Sequence, residues 1–509
     1  MRCLALRALV VGTLFGTAAA PGQPAAPPKA PQAIEWKSAT PKTESALLPA
    51  STQIAVPRFQ APDKPVPTVD GRRPLPINLA AAMQLAGTQS LDVLVAARQV
   101  RIAAAQYDQA KYIWLPSVLS GVDYFRHDGI AQNVSGDLTS NSRSNFLAGG
   151  SLNAVFGIND AIFGPLAARQ DLNARRANLQ AVNNDTALAV AEAYFTVQQA
   201  RGELAGALQY VKDAEALAKR TEGLAKDLTP PIEATRAKVE LARRQQAVSI
   251  LRERWLTSSA ELLRLLRLEP SAVVEPVEPV NLTIRLIDPA YSLDDLVAIG
   301  LTSRPELAAN QALVRATLQR LRQERLRPLV PSLVLRGAST NPAGTLGVGT
   351  FGAGTNSRIG DFHGRFDYDA QVLWELQGFG LTNLARIDQR KAEREAAVLE
   401  LFRTQDRVAA EIAQAYAQAQ SAAERLAVAE PAAEQAQDLF KKSLAGLTAK
   451  RVGELLVLIV RPQEVVAALQ ALAQANTDYY AAVADYNRAQ FRLYRALGHP
   501  AQCLADITR

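Results

Sequence analysis

The chain has 509 residues, 48% of them hydrophobic, 21% charged and only 6% aromatic, with a formal net charge of +7 and a pI near 9.3. A basic balance invites nucleic acid as a partner, but Lys and Arg alternate with Glu and Asp in stretches such as RAKVELARRQQ and RIDQRKAEREAAVLE, the pattern of a solvated helix face, which argues against it. Beyond the first twenty residues no uninterrupted apolar run of about 20 occurs, so a membrane location would require a barrel.

Residues 1–20, MRCLALRALVVGTLFGTAAA, pair Arg2 and Arg7 with an apolar run and small residues, the pattern of a secretory signal peptide. Pro21 disfavours cleavage directly after Ala20. The chain has two cysteines, Cys3 and Cys503; the first lies inside the signal, so no intrachain disulfide is expected in the mature protein. Cys3 precedes the apolar run, which argues against a lipid anchor. Between residues 21 and 70 lie eleven of the 28 prolines, and residues 21–74 read as an extended segment without a packed core.

From there the chain repeats itself. INLAAAMQLAGTQSLDVLVAARQ from Ile77 is echoed by YSLDDLVAIGLTSRPELAANQ from Tyr291, with Leu79 matching Leu293 and Arg101 matching Arg315 at an offset of 214. Pro116-Ser117 matches Pro331-Ser332 one residue later, which implies a single insertion. The first repeat spans 75–290 and the second 291–500, with a tail at 501–509. Each reads as short helix, β-hairpin, long helix, turn and return helix. Strands are expected at about 116–127, 145–158, 331–339 and 364–376.

The stretch GRFDYDAQVLWELQ carries the clearest strand signal. Phe366, Tyr368, Ala370, Val372, Trp374 and Leu376 point one way and Arg365, Asp367, Asp369, Gln371, Leu373 and Glu375 the other. A soluble antiparallel sheet and a membrane barrel both use such a strand. Aromatics near both ends and a span of roughly 27 Å suit the barrel.

The long helical patterns run from Pro165 toward Pro230 and from Leu381 to Gly446, about 55 residues or roughly 80 Å each, with a local kink expected at Pro431. Gly223 and Gly446 read as helix stops. Pro231 and Pro462 suit the first positions of the return helices, and Glu233 and Glu464 suit their positive ends. Four strands cannot close a barrel, since single-chain membrane barrels start at eight, so lipid-facing strands would have to be pooled by several protomers.

GVGTFG, Gly347 to Gly352, matches a dinucleotide-binding glycine pattern but sits between hairpin strands, where an exposed loop is the better reading. His127, His363 and His499 have no metal-ligand spacing, although His127 and His363 lie near strand ends that could meet. No catalytic grouping, metal or cofactor motif stands out, and the chain reads as a non-enzyme.

The helix openings INLAAAMQLA and YSLDDLVAIGLTSRPEL, the LPS that leads into the first strand, the RAKVELARRQQA and ALQALAQANTDYYAAVADYNRAQFRLYRALG return helices and LLRLLRLEP together resemble the TolC-type outer-membrane efflux duct family. The resemblance implies a mainly α protein with a small β part, a homotrimer whose twelve strands form one outer-membrane β-barrel in lipid, continued by an α-helical coiled-coil barrel across the periplasm. It implies a passive conduit in a tripartite efflux or type I secretion system, with a periplasmic adaptor and an inner-membrane pump as partners. It places Glu464, with Glu233 as its repeat counterpart, at a periplasmic gate, and puts Ala467 where relatives carry a second acidic residue. Gly223, Leu224, Gly446 and Leu447 become the adaptor-contact tips, and Phe366, Tyr368, Val372, Trp374 and Leu376 the lipid-facing strand. The turn Leu447 to Arg461 is unusually long. A soluble periplasmic helical scaffold is the alternative.

Overall fold

A computed structural model describes residues 71–225, 228–336, 346–355, 358–452 and 455–498, and the side chains of 449–457 also lie outside it. The signal, most of the proline-rich segment, both cysteines, His499 and the tail fall outside the described residues. In chain order the elements are β1 (Arg73–Ile77), α1 (Leu79–Gln89), α2 (Leu91–Tyr112), β2 (Ser117–Gln132), β3 (Leu138–Gly157), α3 (Ile158–Leu224), α4 (Pro231–Leu266) and β4 (Ala272–Pro276). The second half continues with α5 (Leu293–Ser303), α6 (Pro305–Leu326), β5 (Ser332–Arg336), β6 (Val348–Thr355), β7 (Gly360–Phe366), β8 (Asp369–Leu373), α7 (Leu381–Gly446), β9 (Ala449–Val452), β10 (Leu455–Leu458) and α8 (Pro462–Ala496).

The repeat is visible in the element bounds. α5 and α6 begin and end 214 residues after α1 and α2, β5 starts 215 after β2, and α8 starts 231 after α4. Local chemistry sets these starts. Asn78 Oδ1 accepts from Ala81 N at 2.8 Å to cap α1, Ser292 and Asp295 cap α5 reciprocally, and Pro231, Pro305 and Pro462 open α4, α6 and α8. The stretch Leu79–Tyr112 is long and apolar enough to cross a membrane by composition. Ser90, with extended ψ, divides it into two helices.

The long helices exceed the sequence expectation: α3 has 67 residues and α7 has 66, roughly 100 Å each. α3 begins before Pro165 because Gly157 ends β3 directly against it. α7 runs unbroken through Pro431. α3 packs against α2, α4, α6 and α8, and α7 against α5, α6 and α8. Contact positions on α3 are dominated by Ala187, Val190, Ala191, Tyr194 and Phe195, all fully buried; small residues let backbones approach, and each large apolar side chain buried adds about 1.5–3 kcal/mol. Phe195 meets Phe491 of α8 with ring centroids 5.5 Å apart, joining the two repeats. β1 pairs in parallel with β4, so the end of the proline-rich segment is structured, and the Trp255 indole donates to Val274 O at 3.0 Å beneath it.

The larger sheet runs β2, β3, then β5 with β6, then β8 with β7. β5 and β6 lie end to end on β3: Arg336 faces Asn153 and Val348 faces Gly150. β5 and β6 thus follow one strand path along β3, and β7 and β8 form its partner path, interrupted only at Asp367 and Tyr368. The glycine-rich stretch therefore forms β6 rather than a loop, and the strand expected at 364–376 starts at Gly360 and stops at Leu373. Gly149 and Gly349 explain the glycines, since a Cβ on Gly149 would lie 1.9 Å from Val348 O and one on Gly349 2.1 Å from Ala148 O. β2 and β3 outrun the expected strands because their hairpin continues past the other partners to Gln132 and Leu138. His127 faces Arg143 whereas His363 lies in the row of Phe351 and Leu147, so the two histidines do not meet.

Two local features were absent from the sequence reading. The long turn after α7 contains the antiparallel pair β9–β10. Between β8 and α7, Gly378, Phe379 and Gly380 have φ of 58, 54 and 88°, three left-handed residues in succession. For phenylalanine this conformation costs about 1–2 kcal/mol.

Candidate functional site: an exposed apolar sheet face and paired helix ends

Pairing register assigns the two faces of the sheet. Val118, Val122 and Tyr124 of β2, Leu152 of β3, Val348 of β6, Phe366 of β7 and Val372 of β8 share one face, and all are exposed. Tyr368, Trp374 and Leu376, which flank β8, are exposed as well, so the residues expected to face lipid all lie open. The opposite face holds Asp123, His363, Arg365, Asp369 and Gln371, together with buried Leu147 and the apolar Leu119 and Phe125. The Arg365 guanidinium lies 5.3 Å over the Phe351 ring and pairs with Asp367 at 2.6 Å.

The height of this apolar band can be reckoned along β3. From Gly157, level with Ser332 and Leu373, to Phe146, level with Tyr124, is eleven steps, about 37 Å of strand and roughly 26 Å at a 45° tilt. An outer-membrane barrel presents an apolar band of about 25 Å. Directly beyond Tyr124 on the same face come Arg126 and Asp128, paired with each other.

At the other end of the helices, α3 and α4 are joined by one turn and α7 and α8 by another. Leu217 of α3, Phe440 of α7, and Val465 and Leu469 of α8 form a common core there. Arg236 Nη1 donates to Glu233 Oε1 at 2.6 Å and to Gln463 Oε1 at 3.1 Å, which ties the start of α4 to the start of α8. Glu233 is therefore half-buried in an ion pair within its own protomer. Glu464 is exposed, with Oε2 accepting from Arg461 N at 3.3 Å, and Ala467 is exposed on the same side one turn along. Arg236 occupies the repeat position of Ala467, so the position that supplies the cation of Glu233 carries alanine in the second repeat.

The tip residues divide. Gly223 is exposed with open space around it, and Leu224 closes α3 half-buried. Gly446 ends α7 because a Cβ there would lie 2.5 Å from Val460 Cγ2, not because of a left-handed φ. Leu447 is 1% exposed and belongs to the tip core with Leu217, Phe440 and Val465, which corrects its assignment as a contact residue.

Sequence reading missed an arginine row on α8. Arg488 donates to Thr196 Oγ1 at 2.9 Å and Gln199 Oε1 at 3.0 Å, and Arg492 pairs with Glu192. Arg495 reaches Asp185 at 2.6 Å, Glu411 at 3.0 Å and Glu306 at 3.1 Å. Burial would lower the Arg495 pKa, but the three carboxylates outweigh it and raise it. The spacing of four and three residues in RAQFRLYR was the available signal; its acidic partners on other helices lie between 84 and 310 residues away. Among the described residues no cluster of three His, Cys, Asp or Glu is placed to hold a metal.

Residues 82–266 match the family model described as outer membrane efflux protein. No curated protein matches the chain. Among solved structures, the outer-membrane channel OprN superposes with a TM-score of 0.66 at 18% identity, covering 88% of this chain and 99% of that one. The Campylobacter jejuni CmeC outer membrane channel gives 0.66 at 13% identity, covering 83% and 85%. The Vibrio cholerae outer membrane protein VceC gives 0.65 at 16%, covering 82% and 96%. Identities this low speak to fold, and the family match speaks to lineage. Residues 82–266 thus match the outer membrane efflux protein family model, and the fold of these outer-membrane channels is shared over 82–88% of the chain.

Proposed function

We propose that the chain is one protomer of a homotrimeric outer-membrane duct, the passive exit component of a tripartite export system. The carrying observation is the inverted sheet, with large apolar side chains exposed on one face and Arg365, Asp367, Asp369 and Gln371 half-buried on the other. A soluble scaffold would bury the first face. Lipid requires the reverse and penalises Arg or Lys at mid-depth by about 2–4 kcal/mol. The four strand paths leave β2 and the β7–β8 path as unpaired edges, which lipid forbids. Three copies joined edge to edge satisfy every edge.

Opening takes place at the starts of α4 and α8. Three Glu464 carboxylates brought together by the trimer would repel, while the Arg236 bridge to Gln463 holds each protomer's helix ends together. Export begins when a periplasmic adaptor, docked near Gly223, Leu224 and the Gly446 turn and coupled to an inner-membrane pump, breaks that bridge. The ductal reading is tested by planar-bilayer recording of purified protein. Discrete conductance steps are expected, and a membrane left silent by correctly folded protein contradicts it.

A further inference from the structure

The helix pairs of the two repeats correspond residue by residue. Glu203 of α3 pairs with Arg254 of α4 at 2.7 Å, and their counterparts 222 and 231 residues on, Arg425 of α7 and Asp485 of α8, pair at 3.1 Å with the charges exchanged. The same two offsets relate two cavities. Glu203, Ala207, Tyr210, Arg244, Ala247 and Leu251 line a cavity of about 470 Å³ beside the α3–α4 pair. Their counterparts Arg425, Ala429, Ala432, Ala475, Asp478 and Ala482 all line a groove of about 770 Å³ beside the α7–α8 pair. One difference separates the two. The first is walled by a third helix, α8, through Gln470, Ala473, Gln474 and Thr477, and Gln470 donates to Glu240 of α4 at 2.7 Å. The second is lined by α7 and α8 alone.

Size and charge indicate what fills the second groove. Tyr210, Arg244 and Leu251 give way to Ala432, Ala475 and Ala482, so the groove is wider and takes a bulkier face than α8 brings to the first. The repeat supplies that face. The residues of α4 that correspond to Gln470, Ala473, Gln474 and Thr477 are Val239, Ala242, Arg243 and Gln246, an exposed stripe at helical spacing. Where the internal cavity has Ala247 and Gln474, the groove has Asp478 and the stripe has Arg243. Asp478 accepts from Gln474 at 2.8 Å but meets no cation, and among the described residues Arg243 has no ion pair.

We propose that the α7–α8 groove receives α4 of a second copy of this chain, with Val239 of one protomer against Ala471 of the next and Arg243 paired with Asp478 across the seam. The Glu240–Gln470 contact sets the first of these pairs, because Ala471 and Val239 are its repeat counterparts. The inference rests on the homotrimeric reading and specifies which helices meet. A contact between two different faces runs head to tail and closes into a ring, so each of three copies uses its stripe and its groove once. The exchanges also keep the internal joint and the seam from being confused. α8 in the wider groove would leave it underfilled and Asp478 without a cation, while α4 against α3–α4 would set Arg243 beside Arg244.

The test is cross-linking between two differently tagged full-length chains, one carrying V239C and the other A471C, co-expressed in a C503S background. Because each chain has one cysteine in its mature part, only a contact between copies can join them. Oxidation, or a short bismaleimide where the sulfurs miss bonding geometry, should give a heterodimer of the two tags that survives boiling. A boiling-sensitive trimer with no such cross-link overturns the inference and leaves the homotrimer standing, as does a V239C chain that joins only to another V239C chain. Absence of any trimer overturns the homotrimeric reading and the seam with it. The ion pair is tested by charge reversal: Arg243→Asp and Asp478→Arg should each lower the temperature at which the trimer comes apart, and the double reversal should recover at least half of that loss. A double reversal no better than the worse single variant removes the Arg243–Asp478 pair.

Discussion

Arg365 and Phe366 are neighbours in the chain and opposites in the sheet: the Arg365 guanidinium sits over the Phe351 ring, while Phe366 is 75% exposed. A strand that hides its cation and shows its phenylalanine is what the proposed duct requires, with water on the Arg365 face and lipid on the Phe366 face. Val372→Arg, on the face of Phe366, should therefore cost about 2–4 kcal/mol in the membrane and strongly reduce the protein recovered in the outer membrane. Gln371→Arg, one residue away on the other face, should be recovered at nearly the normal level. Equal recovery of the two would contradict the assignment of faces.

The Arg236 to Gln463 bridge at 3.1 Å gives the second expectation. A single exposed hydrogen bond is worth about 0.5–1.5 kcal/mol, which corresponds to roughly 2- to 10-fold in a closed-to-open ratio. Arg236→Ala and Gln463→Ala should each raise basal bilayer conductance by that order, and the double variant should add little, because both remove one bridge.

The sheet offers a clean steric contrast. Gly121 and Gly149 face each other, but a Cβ on Gly121 meets nothing within 4 Å whereas one on Gly149 would strike Val348 O at 1.9 Å. Gly149→Ala should destabilise the sheet by about 1–3 kcal/mol or more, since a backbone carbonyl cannot rotate away. Gly121→Ala should melt like the parent protein in detergent.

How far the sequence disclosed the architecture follows from these same residues. The offset of 214 was legible because α1, α2, α5 and α6 each keep their own periodic pattern and caps, and Pro231 and Pro462 announce their helices. The strand paths were legible where apolar and polar residues alternate, as at Phe366 to Val372. They were not legible at β6, where glycines stand for close backbone contact and leave no pattern, nor in β9–β10, whose strands of four residues each are too short to show an alternation. Glu233 and Glu464 were visible as acids at helix starts, but the cation that separates their roles, Arg236, acts through a partner 227 residues away. Leu447 looked like a tip because it follows a glycine, and only the position of Val460 shows that it is core.

A pH effect follows from Asp213 on α3. Burial raises its carboxyl pKa, and the Gln209 hydrogen bond at 3.1 Å and Lys212 only partly offset this. A folded-state pKa raised above the unfolded value means that ionisation opposes folding: the penalty is absent below the unfolded value near 3.8 and fully present above the folded one. Asp213→Asn should therefore stabilise the protein slightly at neutral pH, by about 0.5 kcal/mol or less given solvent screening. The difference should vanish as melts are taken down through pH 4.

The shared barrel is the claim on which the rest depends, and outer-membrane fractionation followed by gel mobility with and without boiling addresses it most directly. The account predicts outer-membrane protein running as a trimer that boiling converts to a 54.8 kDa monomer, less the signal. A soluble monomer, unchanged by heating, would contradict it.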